Sequence, residues 1–299
     1  MRHLLILGLL FLIGTDSDAS DLGSQELLPS DPIPSYTMWM GGAKGRHAYD
    51  KAVTWLAMEK SRVKYGPYSL HTIEHRPGIE RARIEAARAD RFQVHISPND
   101  EVMEESAGSL IRIKESVIKG ILGYRRLIIR KADADKFKQI DSLSKLQTLS
   151  VGQGVRWPDV AVLRANNISV VQTHSIDSLF AMLNKKRFDA ISLGINEAEG
   201  TLETVIAQYP DLIIEPNIVL FFPMSVYFYV NTQHPELAER LTYGIRKAKK
   251  DGSFDSLFAL HFYNEIATIN QSNIKFFTLK NDSMSSLDAS QTPLLIQQH

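Results

Sequence analysis

Apolar residues in this chain recur with two periods, and the two alternate. Tyr49, Ala52, Val53 and Leu56 fall at i, i+3, i+4 and i+7, one face of a helix. Ile176, Leu179, Phe180 and Leu183 repeat that spacing, and Leu237, Leu241 and Ile245 stripe a helix that runs to a C-cap at Asp251-Gly252. Ile79, Ala82, Ala86 and Ala89 line another, starting near Pro77, with arginines and glutamates opposite. Between these lie short β-prone runs at 36–40, 68–73, 92–96, 170–171, 188–193, 212–214, 218–222 and 225–230. Residues 203–209 also read as helical. Strands alternating with helices predict βαβ units and largely parallel sheets, one set before Ile121 and a second from Leu149. The run 118–131 between them, IKGILGYRRLIIRK, has no helical period and suits an extended connection.

The stretch 146–163, LQTLSVGQGVRWPDVAVL, reads as strand, glycine turn and helix. A turn at Gly152-Gln153-Gly154 before a helix starting at Pro158-Asp159 is expected to bring backbone N–H groups to a ligand crevice. The glycines match neither a dinucleotide nor a P-loop fingerprint.

Composition narrows the function classes. The 299 residues carry 34 basic and 34 acidic side chains, so no excess positive charge is available for nucleic acid. There is no cysteine, which excludes disulfides, thiolate metal sites and a cysteine nucleophile. Arg2 and His3, the apolar run 4–13 and the small residues ending at Ala19-Ser20 read as a secretory signal peptide, too short to span a bilayer. The expected location is therefore the periplasm. Residues 279–299 are polar and without period, and read as a disordered tail.

Several pieces, in order, carry a resemblance: Gly123-Tyr124-Arg125-Arg126-Leu127-Ile128-Ile129, Ser150-Val151-Gly152-Gln153-Gly154, the helix from Phe180 leading to Asp189-Ala190-Ile191, Phe228-Tyr229-Val230, and Asp251-Gly252-Ser253-Phe254. Over residues 35–277 the chain resembles the type II periplasmic solute-binding proteins of family 3, the amino-acid-type ABC transporter substrate-binding domains. The resemblance implies an α/β fold of two lobes around a cleft, joined by two crossing hinge segments. Lobe one would take residues 34–121 and 232–278, and lobe two residues 122–231. It further implies a small-molecule ligand, a permease or sensor partner, a monomer, no cofactor and no catalysis. A sensory module and a dehydratase-like enzyme are the competing readings on the same fold.

The family's ligand-holding positions are altered here. An arginine motif after the third strand is missing, with Arg112 in a different setting. Val155, Arg156 and Trp157 stand where small hydroxyl residues are usual, and Gly194 where an acid is. Arg156 is then either an anion contact or a surface residue paired with Asp159. Trp39 and Met40 end the first strand where the family places an aromatic against the ligand, and Trp157 flanks the turn; each reads equally as core. Asn196 and Glu197 supply polar cleft contacts, and Tyr124 a hinge-side one. Glu197 and Asp159 are the acid–base candidates of the enzyme reading. His71 and His75 sit about 13 Å apart on a strand, too far to share a metal.

Overall fold

The computed structural model describes residues 32–41, 44–74, 84–86, 88, 91–98 and 108–282. The signal-peptide segment, His75, most of the helix expected from Pro77, and residues 283–299 lie outside the described residues. Two mixed sheets form. The first has the order β2 (Ser69–Ile73), β1 (Ser35–Trp39), β3 (Val94–Pro98), β10 (Val226–Asn231), β4 (Leu110–Arg112). The second has the order β11 (Lys275–Thr278), β9 (Leu212–Phe221), β5 (Tyr124–Arg130), β8 (Ala190–Gly194), β6 (Ser150–Gly154), β7 (Ser169–Thr173).

In each sheet one central strand has parallel neighbours on both sides. In the first, β1 pairs with β2 and β3; in the second, β6 pairs with β7 and β8. The carboxyl ends of such strands border the crevice where open α/β sheets bind ligands. The helices that leave or approach these ends are α1 (His47–Tyr65) in the first set, and α2 (Pro158–Ala165), α3 (Ile176–Asn184) and α4 (Ile195–Glu203) in the second. Two further helices, α5 (Pro235–Lys250) and α6 (Ser253–Ile269), pack on α1. The apolar stripes read from the sequence face inward: Tyr49 and Val53 on α1, Leu179, Phe180 and Leu183 on α3, and Leu237, Leu241 and Ile245 on α5 are all buried.

Two segments cross between the sheets side by side. Phe222 N–H donates to Gly123 O at 3.1 Å and Val117 N–H to Val226 O at 3.0 Å. Ile121, Leu122, Tyr124, Phe221, Phe222 and Met224 along these crossings are buried in one apolar cluster that reaches into both sheets. The crossings are therefore packed against each other.

Residues 225–230 belong to the first sheet, where β10 lies between β3 and β4. Conversely, β11 pairs with β9 in the second sheet, although it falls within the stretch read as lobe one. A strand that returns across the connection is as apolar as its neighbours, so its sheet is invisible in the pattern. Residues 279–282 are not a loose tail: Leu279 is buried, its N–H donates to Phe221 O at 2.8 Å, and Lys280 N–H donates to Asn166 Oδ1 at 3.0 Å. The helix expected at 203–209 lies earlier, at α4, and is followed by turns.

Candidate functional site between the sheets

The glycines that first drew attention are not a turn. Gly152 and Gly154 lie within β6, and a Cβ on them would come 2.2 Å from the Phe188 ring and 2.3 Å from the Trp157 indole. They are small so that those rings can lie flat on the strand. The actual turn is Val155-Arg156-Trp157, with Arg156 at φ 63°. Its N–H groups are committed, Val155 to Thr173 O at 2.9 Å and Trp157 to Gly154 O at 3.1 Å. Arg156 is exposed, and Asp159 is buried and pairs with Arg125.

What gathers at the strand ends is a buried chain of ion pairs. Arg46, just before α1, donates to Asp50 Oδ2 from Nη2 at 3.0 Å and from Nε at 3.2 Å. Its Nη2 also reaches Ile96 O, on β3, at 3.4 Å. Across the interface, Arg46 Nη1 lies 3.6 Å from Glu197 Oε1 on α4. The other oxygen of Glu197 is 3.7 Å from Arg125 Nη1, at the start of β5. Arg125 Nη2 donates in turn to Asp159 on α2. Arg46, Asp50, Arg125, Asp159, Asn196 and Glu197 are each at most 9% exposed.

Local structure puts each group there. Asp50, Asp159 and Glu197 all lie in the first turn of their helices, where a carboxylate is favoured by the backbone dipole. Glu197 sits three residues into α4 and its Oε2 accepts the N–H of Gly194 at 3.3 Å, closing a cap. Arg125 faces Gly194 across the β5–β8 ladder. The two halves meet backbone to backbone: a Cβ on Gly45 would come 3.1 Å from Asn196 O, and one on Gly200 3.2 Å from Gly45 Cα. Only glycine permits so close an approach.

The cluster is not self-sufficient. Asp50 Oδ1, Asp159 Oδ1, Arg125 Nε and Nη1, and both amide atoms of Asn196 are buried without a hydrogen-bond partner. Gln153 Oε1, Ser192 Oγ and Thr201 Oγ1 on β6, β8 and α4 are in the same condition. Buried polar atoms are nearly always satisfied, and each exception costs about 1–3 kcal/mol. Burial pushes the Asp50 and Asp159 carboxyls above the usual range, against the pull of Arg46 and Arg125.

Of the sequence candidates, Asn196, Glu197 and Asp159 are therefore brought to this cluster. The others are not. Trp39 stacks on Phe92 at 5.3 Å and lies tilted against His95 at 5.8 Å, and Met40 is buried in the main core. Tyr124 is fully buried against Phe221, with ring centroids 4.6 Å apart. Trp157 packs on the apolar cluster of the second sheet. Arg112 lies over the Tyr227 ring at 5.1 Å, and Asp189 of the Asp-Ala pair ties β6 to β8 by accepting from Ser150 N–H at 2.8 Å. Arg46, Asp50 and Arg125 were missed. Their signal was present: Asp50 lies on the buried face of α1 four residues after Arg46, and Arg125 interrupts an apolar strand.

No protein-family model matches the sequence, and no curated protein does. Solved structures do. The amino acid ABC transporter substrate-binding protein AbpA from Streptococcus pneumoniae, bound to L-arginine, superposes with a TM-score of 0.51 at 15% identity, over 79% of this chain and 97% of that one. The chain has the two-lobed type II solute-binding fold. An ancestral arginine-binding protein bound to arginine shares this solute-binding fold at a TM-score of 0.50 and 16% identity, over 76% of this chain and 98% of that one. The VFT2 domain of BvgS from Bordetella pertussis does so at 0.50 and 12%, over 77% and 93%. The cluster from Arg46 to Asp159 joins α1 and β3 of the first set of elements to β5, α2 and α4 of the second.

Proposed function

We propose that this is an exported, non-catalytic binding protein that captures a small polar molecule between its lobes for an ABC transporter. The observation that carries the reading is the interlobe ion-pair chain with its unpartnered buried atoms. A binding site is a place where the protein leaves polar atoms for a ligand to satisfy, at a cost in its own stability. Glycine contacts at Gly45 and Gly200 let the lobes shut over it, and the paired crossings serve as the hinge. Export rests on the basic and apolar run 2–20. The ligand and a membrane permease are the partners, and the protein acts as a monomer. A sensory role is the second reading, favoured by the match to the BvgS domain. The enzyme reading is weaker, because both of its candidate acids, Asp159 and Glu197, are engaged with arginines.

A thermal-shift panel of amino acids, organic anions, amines and small peptides tests the reading. Ligand at 100 times its dissociation constant stabilises by about 2.7 kcal/mol, which is readily seen as a raised melting point. A panel in which no compound moves the melting point contradicts it.

A further inference from the structure

The cleft's charge balance says which ligand it suits. Resting on the binding reading above, we propose that the site takes a small organic cation that carries no carboxylate. Three acids (Asp50, Asp159 and Glu197) face two bases (Arg46 and Arg125) in one contiguous buried chain. The surplus negative charge is buried, and a cation offsets it. Half-buried Glu265 on α6 lies within electrostatic reach of Glu199 on α4, and burial, reinforced by Glu199, raises its carboxyl.

The places where an anion would bind are already filled. A helix N-terminus is a ready anion site, and the three that border the cleft each hold the protein's own carboxylate. The fork of Arg46 is spent on Asp50 and Ile96 O. What remains open includes the acceptors Asp50 Oδ1, Asp159 Oδ1 and Asn196 Oδ1 as well as the donors Asn196 Nδ2 and Arg125 Nε and Nη1, each buried and without a hydrogen-bond partner, and Arg125 Nη1 already lies 3.7 Å from Glu197 Oε2. The Asn196 amide is aimed at the chain, since a Cβ on Gly194 would meet Asn196 Oδ1 at 2.8 Å and Arg125 Nη1 at 3.0 Å. An ammonium or guanidinium donates to such acceptors and has no lone pair to offend them. A carboxylate on the same ligand would add to the negative surplus.

Isothermal calorimetry on the purified protein with agmatine, 1,4-diaminobutane, L-arginine and L-glutamate tests this directly. Agmatine and L-arginine share a guanidinium and differ at the carboxylate. The site predicts that at least one of the two amines binds about tenfold or more tightly than L-arginine, and that L-glutamate gives no heat of binding. Glu197→Gln and Asn196→Ala should each weaken the amine by about tenfold or more, with folding checked by circular dichroism. L-arginine binding as tightly as agmatine, or L-glutamate binding at all, overturns the cation assignment and leaves the binding function standing. Silence from both amines also overturns it; silence from the whole thermal-shift panel as well overturns the binding reading with it.

Discussion

Two places at strand ends invite comparison, because the sequence offers both as ligand-facing. At one, the end of β1, Trp39, Phe92, His95 and Tyr229 pack ring against ring, stacked, tilted or edge-on, at centroid distances of 5.3–5.9 Å. At the other, between the lobes, Arg46, Asp50, Glu197, Arg125 and Asp159 form a polar chain with unpartnered atoms. The aromatic group is complete in itself: rings satisfy rings, and burial even holds His95 neutral, its pKa pushed down to about 4. The charged group is incomplete. The difference teaches that a binding site is marked by what is left unsatisfied, and that large aromatic side chains near a cleft mark packing unless something remains open beside them.

Breaking the charged chain should have the largest effect. Arg125→Met leaves Asp159 buried without its partner and Glu197 with Arg46 alone, and should cost about 3–5 kcal/mol in urea unfolding. Adding Asp159→Leu should recover much of that loss, since replacing both members of a buried pair is often neutral.

The aromatic group should answer to acid instead. The native state refuses a proton at His95 that the unfolded chain accepts from about pH 6.5 downward. Stability should therefore fall as pH drops from 6.5 to about 4, by on the order of 3 kcal/mol, and His95→Phe should flatten that part of the profile. A profile that His95→Phe leaves unchanged would show the ring protonated inside the stack.

Trp39→Ala sharpens the contrast further. Removing a half-buried ring from the stack should cost about 2–3 kcal/mol, below the range for a fully buried one, while ligand-induced stabilisation stays intact. The smallest effect is at the turn. Arg156→Gly should exceed Arg156→Ala in stability by about 1 kcal/mol, because glycine accepts the positive φ without strain.

Much of the fold was legible because helices and strands bury one face each, and period alone reveals them. The stripes on α1, α3 and α5 are read directly from spacing, as is the helix start at Pro158. Sheet membership was not, because β10 and β11 are apolar whichever lobe they join. The site was half legible. Asn196 and Glu197 follow a strand end and were found by position, whereas Arg46 and Asp50 were passed over inside an apparently ordinary helix start. Charged residues on an inward face are rare enough that Asp50 and Arg125 could have been chosen on that ground. The glycines misled for a physical reason: small residues serve a bulky neighbour as readily as a bound ligand, and Phe188, the neighbour of Gly152, is too far along the chain for spacing to reveal.

The central claim is that the interlobe cluster is held short of its own best stability so that a ligand can complete it. Asn196→Leu tests that most directly, read as the urea midpoint of the ligand-free protein together with the thermal shift from any ligand the panel identifies. Replacing an amide whose two polar atoms lack partners with a similarly sized apolar side chain should raise stability by about 1–3 kcal/mol, and should weaken or abolish the shift. A variant that is less stable than the wild type, or equally stable and fully responsive to ligand, contradicts the account.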